Sequence, residues 1–187
     1  MKLISPEVIG LFLLVSEVLL VLRRRSGSGT TREDGNSIRI LWSVIGLSIF
    51  AGVCAMYLCP AARLPQAQDW AVAGAIIFLL GVIFRWWAII QLGRFFTVDV
   101  AIASDHKLVE IGPYRFIRHP SYTGLLVAFL GFSLTLVNWI SVLVIMVPFF
   151  FALVYRMNVE ERALLPALGE EYRAYQMRTK RLLPFIY

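Results

Sequence analysis

Two short groups of polar residues stand out in a chain otherwise made of apolar blocks. One runs from His106-Lys107-Leu108-Val109 through Gly112-Pro113-Tyr114-Arg115 to Arg118-His119-Pro120-Ser121-Tyr122. The other is Arg156 with Glu160 and Glu161. Arg156 and Glu160 are four apart and share one face of a helix. An arginine so placed can hold a carboxylate in a fork, and Glu160 can accept from an ammonium or a hydroxyl. A helix starting near Pro120 offers unpaired N–H groups to an anion. Such a set binds and orients charged ligands. Each member also has a plainer role. Arg115 and Arg118 would serve as positive-inside anchors, Tyr114 and Tyr122 as interfacial belt residues, and Arg156–Glu160 as a surface ion pair worth roughly a few tenths of a kcal/mol. Their concentration in one short chain favours a site.

The elements that must position them are helices. Of the 187 residues 59% are hydrophobic and 16% are charged, whereas a soluble domain is about a quarter charged. The apolar residues fall in blocks, which predicts an all-α polytopic membrane protein with about five spans. These cover residues 4–22, 38–59, 70–92, 122–137 and 139–155. The last two form a tight helical hairpin at Asn138, and the fourth helix begins at or before Pro120, where an early proline is tolerated. Pro148 should bend the fifth helix. Residues 23–37 read as a mobile polar loop, and residues 93–121 as a long semi-polar stretch. In the tail, Val159, Leu164, Leu165 and Leu168 recur at helical spacing opposite Glu160, Glu161, Glu170 and Glu171, which predicts an amphipathic helix with Gly169 as its interruption. Gly74 and Gly81, with Ala71 and Ala75, should let helices pack closely. Arg85, inside the third span, either makes a polar contact within the bundle or snorkels to headgroups. Residues 1–92 then form a three-span region and residues 93–187 a core that carries the site.

The net charge of +6 sits in alternate loops. Lys and Arg crowd residues 23–39, residues 94–118 and the tail, against only Lys2 and Arg63 on the other side. This places the tail and both polar groups on the cytoplasmic side and argues against nucleic-acid binding, for which no basic helix or aromatic platform is present. The positive cluster Arg23-Arg24-Arg25 follows the first apolar run instead of preceding it, so that run reads as a retained span and not a secretory signal. Cys54 and Cys59 form no CxxC and have no histidine nearby, so metal and redox chemistry are not expected. No Gly-x-Gly-x-x-Gly loop follows a strand, so any nucleotide-like cofactor must be held by helix ends and loops.

The segments 106–109, 112–114 and 118–122 resemble the isoprenylcysteine carboxyl methyltransferase family. So do Arg156, Glu160-Glu161, Leu164-Leu165, Leu168-Gly169, Glu171-Tyr172, Tyr175 and Arg181-Leu182-Leu183-Pro184, together with Leu92-Gly93-Arg94-Phe95-Phe96. The resemblance covers residues 85–184. Phospholipid N-methyltransferases and sterol reductases share a similar Arg-His-Pro-x-Tyr core, and the added Glu-Glu and tail pattern carries the specificity. The resemblance implies a membrane-embedded methyltransferase using S-adenosyl-L-methionine. His106, Lys107, Leu108, Val109, Tyr114, Arg118, His119, Pro120, Ser121, Tyr122 and Glu160 would bind the cofactor. Arg156 would face a lipidic or prenylated acceptor, with Glu160 and Glu161 sharing the catalytic work. The alternatives are N-methylation of an amine-headed phospholipid, with Arg156 meeting phosphate, a nicotinamide-dependent reductase, and a non-enzymatic scaffold.

Overall fold

The computed structural model describes residues 5–23, 30–32, 36–98, 101–103, 107–184 and 187. Five α-helices follow one another: α1 Pro6–Arg23, α2 Ser37–Leu58, α3 Ala67–Leu92, α4 Pro120–Thr135 and α5 Trp139–Arg178. The loops between them carry short 3-10 turns and one antiparallel ribbon, β1 Thr30–Arg32 with β2 Ala101–Ala103. Residues 23–37 were expected to be a mobile loop, yet part of them is tied by this pairing to the stretch before α4. Polar, glycine-rich composition gave no strand signal there.

Among the described residues, three helical segments are long and apolar enough to cross a bilayer: Ser37–Leu58, Ala67–Phe95 and Trp139–Arg178. α4 is a shorter apolar helix, spanning about 24 Å at 1.5 Å per residue. Outward-facing Leu47, Phe50, Leu80, Ile83 and Phe151 are exposed, a surface suited to lipid and not to water.

The closest packing joins α3 to α4, where glycines let the two backbones touch. A Cβ added to Gly81 would lie 2.3 Å from the Ala128 nitrogen, one on Gly124 2.5 Å from the Arg85 nitrogen, and one on Gly131 2.2 Å from the Phe78 nitrogen. The sequence pointed to Gly74 and Gly81. Their counterparts Gly124 and Gly131 on α4 show only when the helices are paired. Because the obstructing atoms are backbone, relief requires moving a whole helix. Gly131→Ala is therefore expected to destabilise by about 1–3 kcal/mol or more, lowering the thermal midpoint in detergent by several degrees. Gly46→Ala, on an α2 position with nothing within 4 Å, should leave it unchanged or slightly raised. Equal midpoints for the two variants would remove the close-packing account.

α2 and α5 are joined at the end away from the polar groups. Asn138 caps α5 by accepting from the Ser141 N–H at 3.1 Å and donates to the Cys59 carbonyl at 2.9 Å, while Ser141 Oγ donates to the Gly52 carbonyl at 2.6 Å. α5 keeps helical backbone angles at Pro148 and Pro166 and departs from them at Gly169 (φ 57°, ψ −131°), the interruption read from the sequence. The left-handed φ there suits a residue with no Cβ. The tail helix is thus the continuation of the fifth apolar helix. Beyond it the chain turns back, and Lys180–Leu182 pairs alongside residues 116–119: Arg118 and His119 N–H groups donate to the Lys180 and Arg181 carbonyls at 2.7 and 3.0 Å. This clasp fixes the entry to α4.

Candidate active site

Pro120 opens α4 at a position where a missing N–H costs nothing. His119 precedes it with a non-helical backbone, held by the clasp. His119 Nε2 lies 3.1 Å from Glu161 Oε1, to which Arg118 Nε also donates at 3.0 Å. Arg181 donates to the other Glu161 oxygen at 2.6 Å. Arg118 donates further to the carbonyls of Gln176 and Thr179. Glu161 is therefore the knot that ties α5, the tail and the approach to α4 together. It was expected to share the catalytic work; its partners in the fold are Arg118, His119 and Arg181. Arg181 entered the sequence reading only as part of the Arg-Leu-Leu-Pro pattern.

Glu160, one residue earlier, points the other way. Its Oε2 accepts from the Tyr122 hydroxyl at 2.8 Å, and the same hydroxyl accepts from Arg156 Nε at 3.1 Å. Arg156 is 2% exposed, donates to Ser37 Oγ at 2.7 Å and also donates to the Val98 carbonyl. Arg156 and Glu160 share a helical face as expected, but Tyr122 bridges them in place of a direct ion pair. The His119 and Tyr122 rings stack at 5.5 Å.

These side chains border a cavity of about 840 Å³, part of it open to solvent. Its lining includes Lys107, Leu108, Val109, Tyr114, Arg118, His119, Ser121, Tyr122, Arg156 and Glu160, most of the residues singled out from the sequence. Pro120 and Glu161 stand behind the wall, and His106 lies outside the described residues. The sequence reading missed Phe95, Phe96, Thr97, Leu164, Leu168, Tyr172 and Tyr175 as lining. The aromatics among them carried a signal, since Phe95, Phe96, Tyr172 and Tyr175 fall within the family-like segments. Burial, then the nearby Glu160 carboxylate, pushes the Tyr114 hydroxyl above its ordinary range, so it serves as a donor and not a base.

A second cleft, about 700 Å³ with its open mouth included, lies against the first and is largely apolar. Leu13, Leu14, Leu41, Ile45, Leu125 and Phe129 line it between α1, α2 and α4. Phe96, Thr97, Tyr122 and Arg156 border both spaces. At the polar end of the cleft Arg85 donates to Glu17 through Nε and a terminal nitrogen, each at 2.8 Å, and to the Ser121 carbonyl at 3.1 Å. Of the two readings for Arg85, the polar contact inside the bundle is the observed one. Glu17 escaped notice because a single carboxylate in an apolar run has no sequence-local partner.

The helical membrane bundle thus carries a mixed polar and apolar cavity that shares a wall with an apolar cleft. The family model for the isoprenylcysteine carboxyl methyltransferase (ICMT) family matches residues 74–166. Protein-S-isoprenylcysteine O-methyltransferase B of Arabidopsis thaliana is 36% identical over 123 residues, 64% of this chain and 62% of that protein. The probable protein-S-isoprenylcysteine O-methyltransferase of Oryza sativa subsp. indica is 30% identical over 70% of this chain and 71% of its own length. A solved structure of the eukaryotic intramembrane Ras methyltransferase ICMT superposes with a TM-score of 0.65 at 28% identity, covering 78% of this chain and 52% of that one. This chain belongs to the isoprenylcysteine carboxyl methyltransferase family and is an integral membrane protein.

Proposed function

We propose that the chain transfers a methyl group from S-adenosylmethionine to the carboxylate of a lipid-borne, isoprenylcysteine-type acceptor, at the cytoplasmic side of a membrane crossed by all five helices. The observation that carries this reading is the wall of Phe96, Thr97, Tyr122 and Arg156 shared by the mixed cavity and the apolar cleft. One side suits a water-soluble cofactor and the other suits a lipid tail.

The donor set fits such a cofactor. An adenosine joined to an amino acid and a sulfonium needs a carboxylate, hydrogen-bond donors and an apolar or aromatic wall. Glu160, Ser121, Leu108, Val109 and Tyr114 supply these along one cavity lining. When bound, the group supplies an electrophilic methyl on a positively charged sulfur. Glu160 would accept from the cofactor's ammonium or ribose, held in place by the Tyr122 hydroxyl. Tyr114 would donate to the group or stack on it, and Leu108 and Val109 would supply an apolar wall for the adenine. Arg156 pairs with the acceptor carboxylate and keeps it ionised, so no general base is needed at the acceptor. What remains for the protein is placement of the reacting atoms in line and exclusion of water by Phe96 and the helices around it. The acceptor's tail stays in the apolar cleft, where burial is worth about 0.8 kcal/mol per CH₂.

Two measurements test this. S-adenosylhomocysteine at a hundredfold excess over its Kd should stabilise the detergent-solubilised protein by about 2.7 kcal/mol, raising its thermal midpoint, whereas reduced nicotinamide dinucleotides should not. Labelled methyl donor should then yield a base-labile product with a prenylcysteine. Base-stable label on phosphatidylethanolamine would instead show amine methylation and overturn the carboxylate assignment.

A further inference from the structure

The outer surface of the bundle carries an apolar belt with an aromatic edge at each end. On α3 the belt runs from exposed Trp70 to exposed Trp87, and on α5 from exposed Trp139 to exposed Tyr155. On α2 it runs from Ile40, next to the exposed Arg39, to Tyr57. Indole and phenol rings favour the level where headgroups meet hydrocarbon. Between these limits α2 and α5 carry no charged residue, and α3 carries only Arg85, which is buried and paired with Glu17.

The edges lie level across the helices. At one end Asn138, next to Trp139, donates to the carbonyl of Cys59, two residues after Tyr57. A Cβ on Gly74, one turn from Trp70, would lie 2.9 Å from the nitrogen of Thr135, the last residue of α4. At the other end Arg156, next to Tyr155, donates to Ser37, two residues before Arg39. Arg85, two residues before Trp87, donates to the Ser121 carbonyl in the first turn of α4. Ile90 is exposed one turn beyond Trp87, but its neighbour Gln91 packs on Gly112 of the polar loop, outside the belt.

We infer that this belt fits a thin bilayer, with a hydrocarbon core of about 25 Å where a typical membrane has about 30 Å. The height follows from the helical rise of about 1.5 Å per residue. Trp70 to Trp87 and Ile40 to Tyr57 each cover about 26 Å, and Trp139 to Tyr155 about 24 Å, the same as α4. Side chains on a helix all lean toward its N-terminus, so two rings on one helix keep the separation of their Cα atoms. Helix tilt only lowers the height. In a bilayer of this thickness Tyr122 and Arg156 stand at the headgroup level. In a thicker one they would be drawn under hydrocarbon, or the bilayer would have to thin around the protein.

The test reconstitutes the full chain in vesicles of phosphatidylcholine whose two monounsaturated chains run, in a series, from fourteen to twenty-two carbons. The relative binding constant of each lipid is read from the quenching of tryptophan fluorescence by its brominated counterpart. Trp70, Trp87 and Trp139 are exposed on the belt, within reach of such chains. Eighteen-carbon chains stand for the typical core of about 30 Å. The binding constant should peak at fourteen or sixteen carbons and fall by about threefold or more at twenty-two, as mismatch accumulates with each added ångström. A peak at eighteen carbons or beyond, or constants equal across the series, overturns the thin-bilayer fit. Methyl transfer is untouched by either result, because only the outer surface of the bundle is read.

Discussion

Arg156→Lys is expected to lower acceptor turnover on the order of 100-fold or more, the usual loss when one preorganised charge-stabilising donor is removed. The thermal shift given by S-adenosylhomocysteine should persist. The reason is geometric. The guanidinium sits where the two cavities meet and donates at once to Tyr122, Ser37 and the Val98 carbonyl, so its plane is fixed before an acceptor arrives. A lysine ammonium keeps the charge but not the fork. Arg156→Ala would remove the guanidinium donor from two hydroxyls and a carbonyl, at about 1–3 kcal/mol for each one left unsatisfied, and would confuse chemistry with stability; lysine separates the two. Turnover within fivefold of the natural protein would remove Arg156 from the acceptor site.

Glu17→Ala should cost about 3–5 kcal/mol, because it strands a buried guanidinium. Arg85 and Glu17 form a two-point pair with side chains 7% and 12% exposed, and Arg85 also holds the Ser121 carbonyl at the first turn of α4. Removing the carboxylate leaves a cation among apolar helices. Replacing both partners, Glu17→Leu with Arg85→Leu, should recover most of that loss, since an apolar pair of similar size is often as stable as the ion pair. The double-mutant cycle, read from thermal midpoints, isolates the coupling between the two residues. A cycle with no coupling would mean that the pair does not join α1 to the α3–α4 unit. The double variant should also bind S-adenosylhomocysteine less well than the natural chain, because Ser121 loses its anchor.

The helices were legible because the bilayer imposes a simple rule: blocks of apolar residues near twenty long, broken by polar stretches. α4 begins at Pro120 and α5 breaks at Gly169, both readable from local backbone chemistry. The β1–β2 ribbon was not readable, because a three-residue strand has no periodicity until its partner seventy residues away is known. Within the site, the spacing of Arg156 and Glu160 placed them on one face, but not the Tyr122 bridge between them. Glu161 looked equivalent to Glu160 in sequence. The helix turns it by about 100° from its neighbour, which sends it behind the wall to hold Arg118, His119 and Arg181.

Composition and pattern alone therefore determined a helical membrane protein with its polar chemistry gathered in two segments, since the free energy of taking polar groups out of water acts locally and residue by residue. The tertiary structure decided which of those residues face a cavity and which hold the wall, and where Glu17 finds its arginine. Those outcomes depend on contacts between residues far apart in the chain, such as Ser37 with Arg156 and Arg118 with the Lys180 carbonyl. Which distant groups meet is set by how glycine-lined helices pack and where the tail folds back, and neither is encoded at any one position.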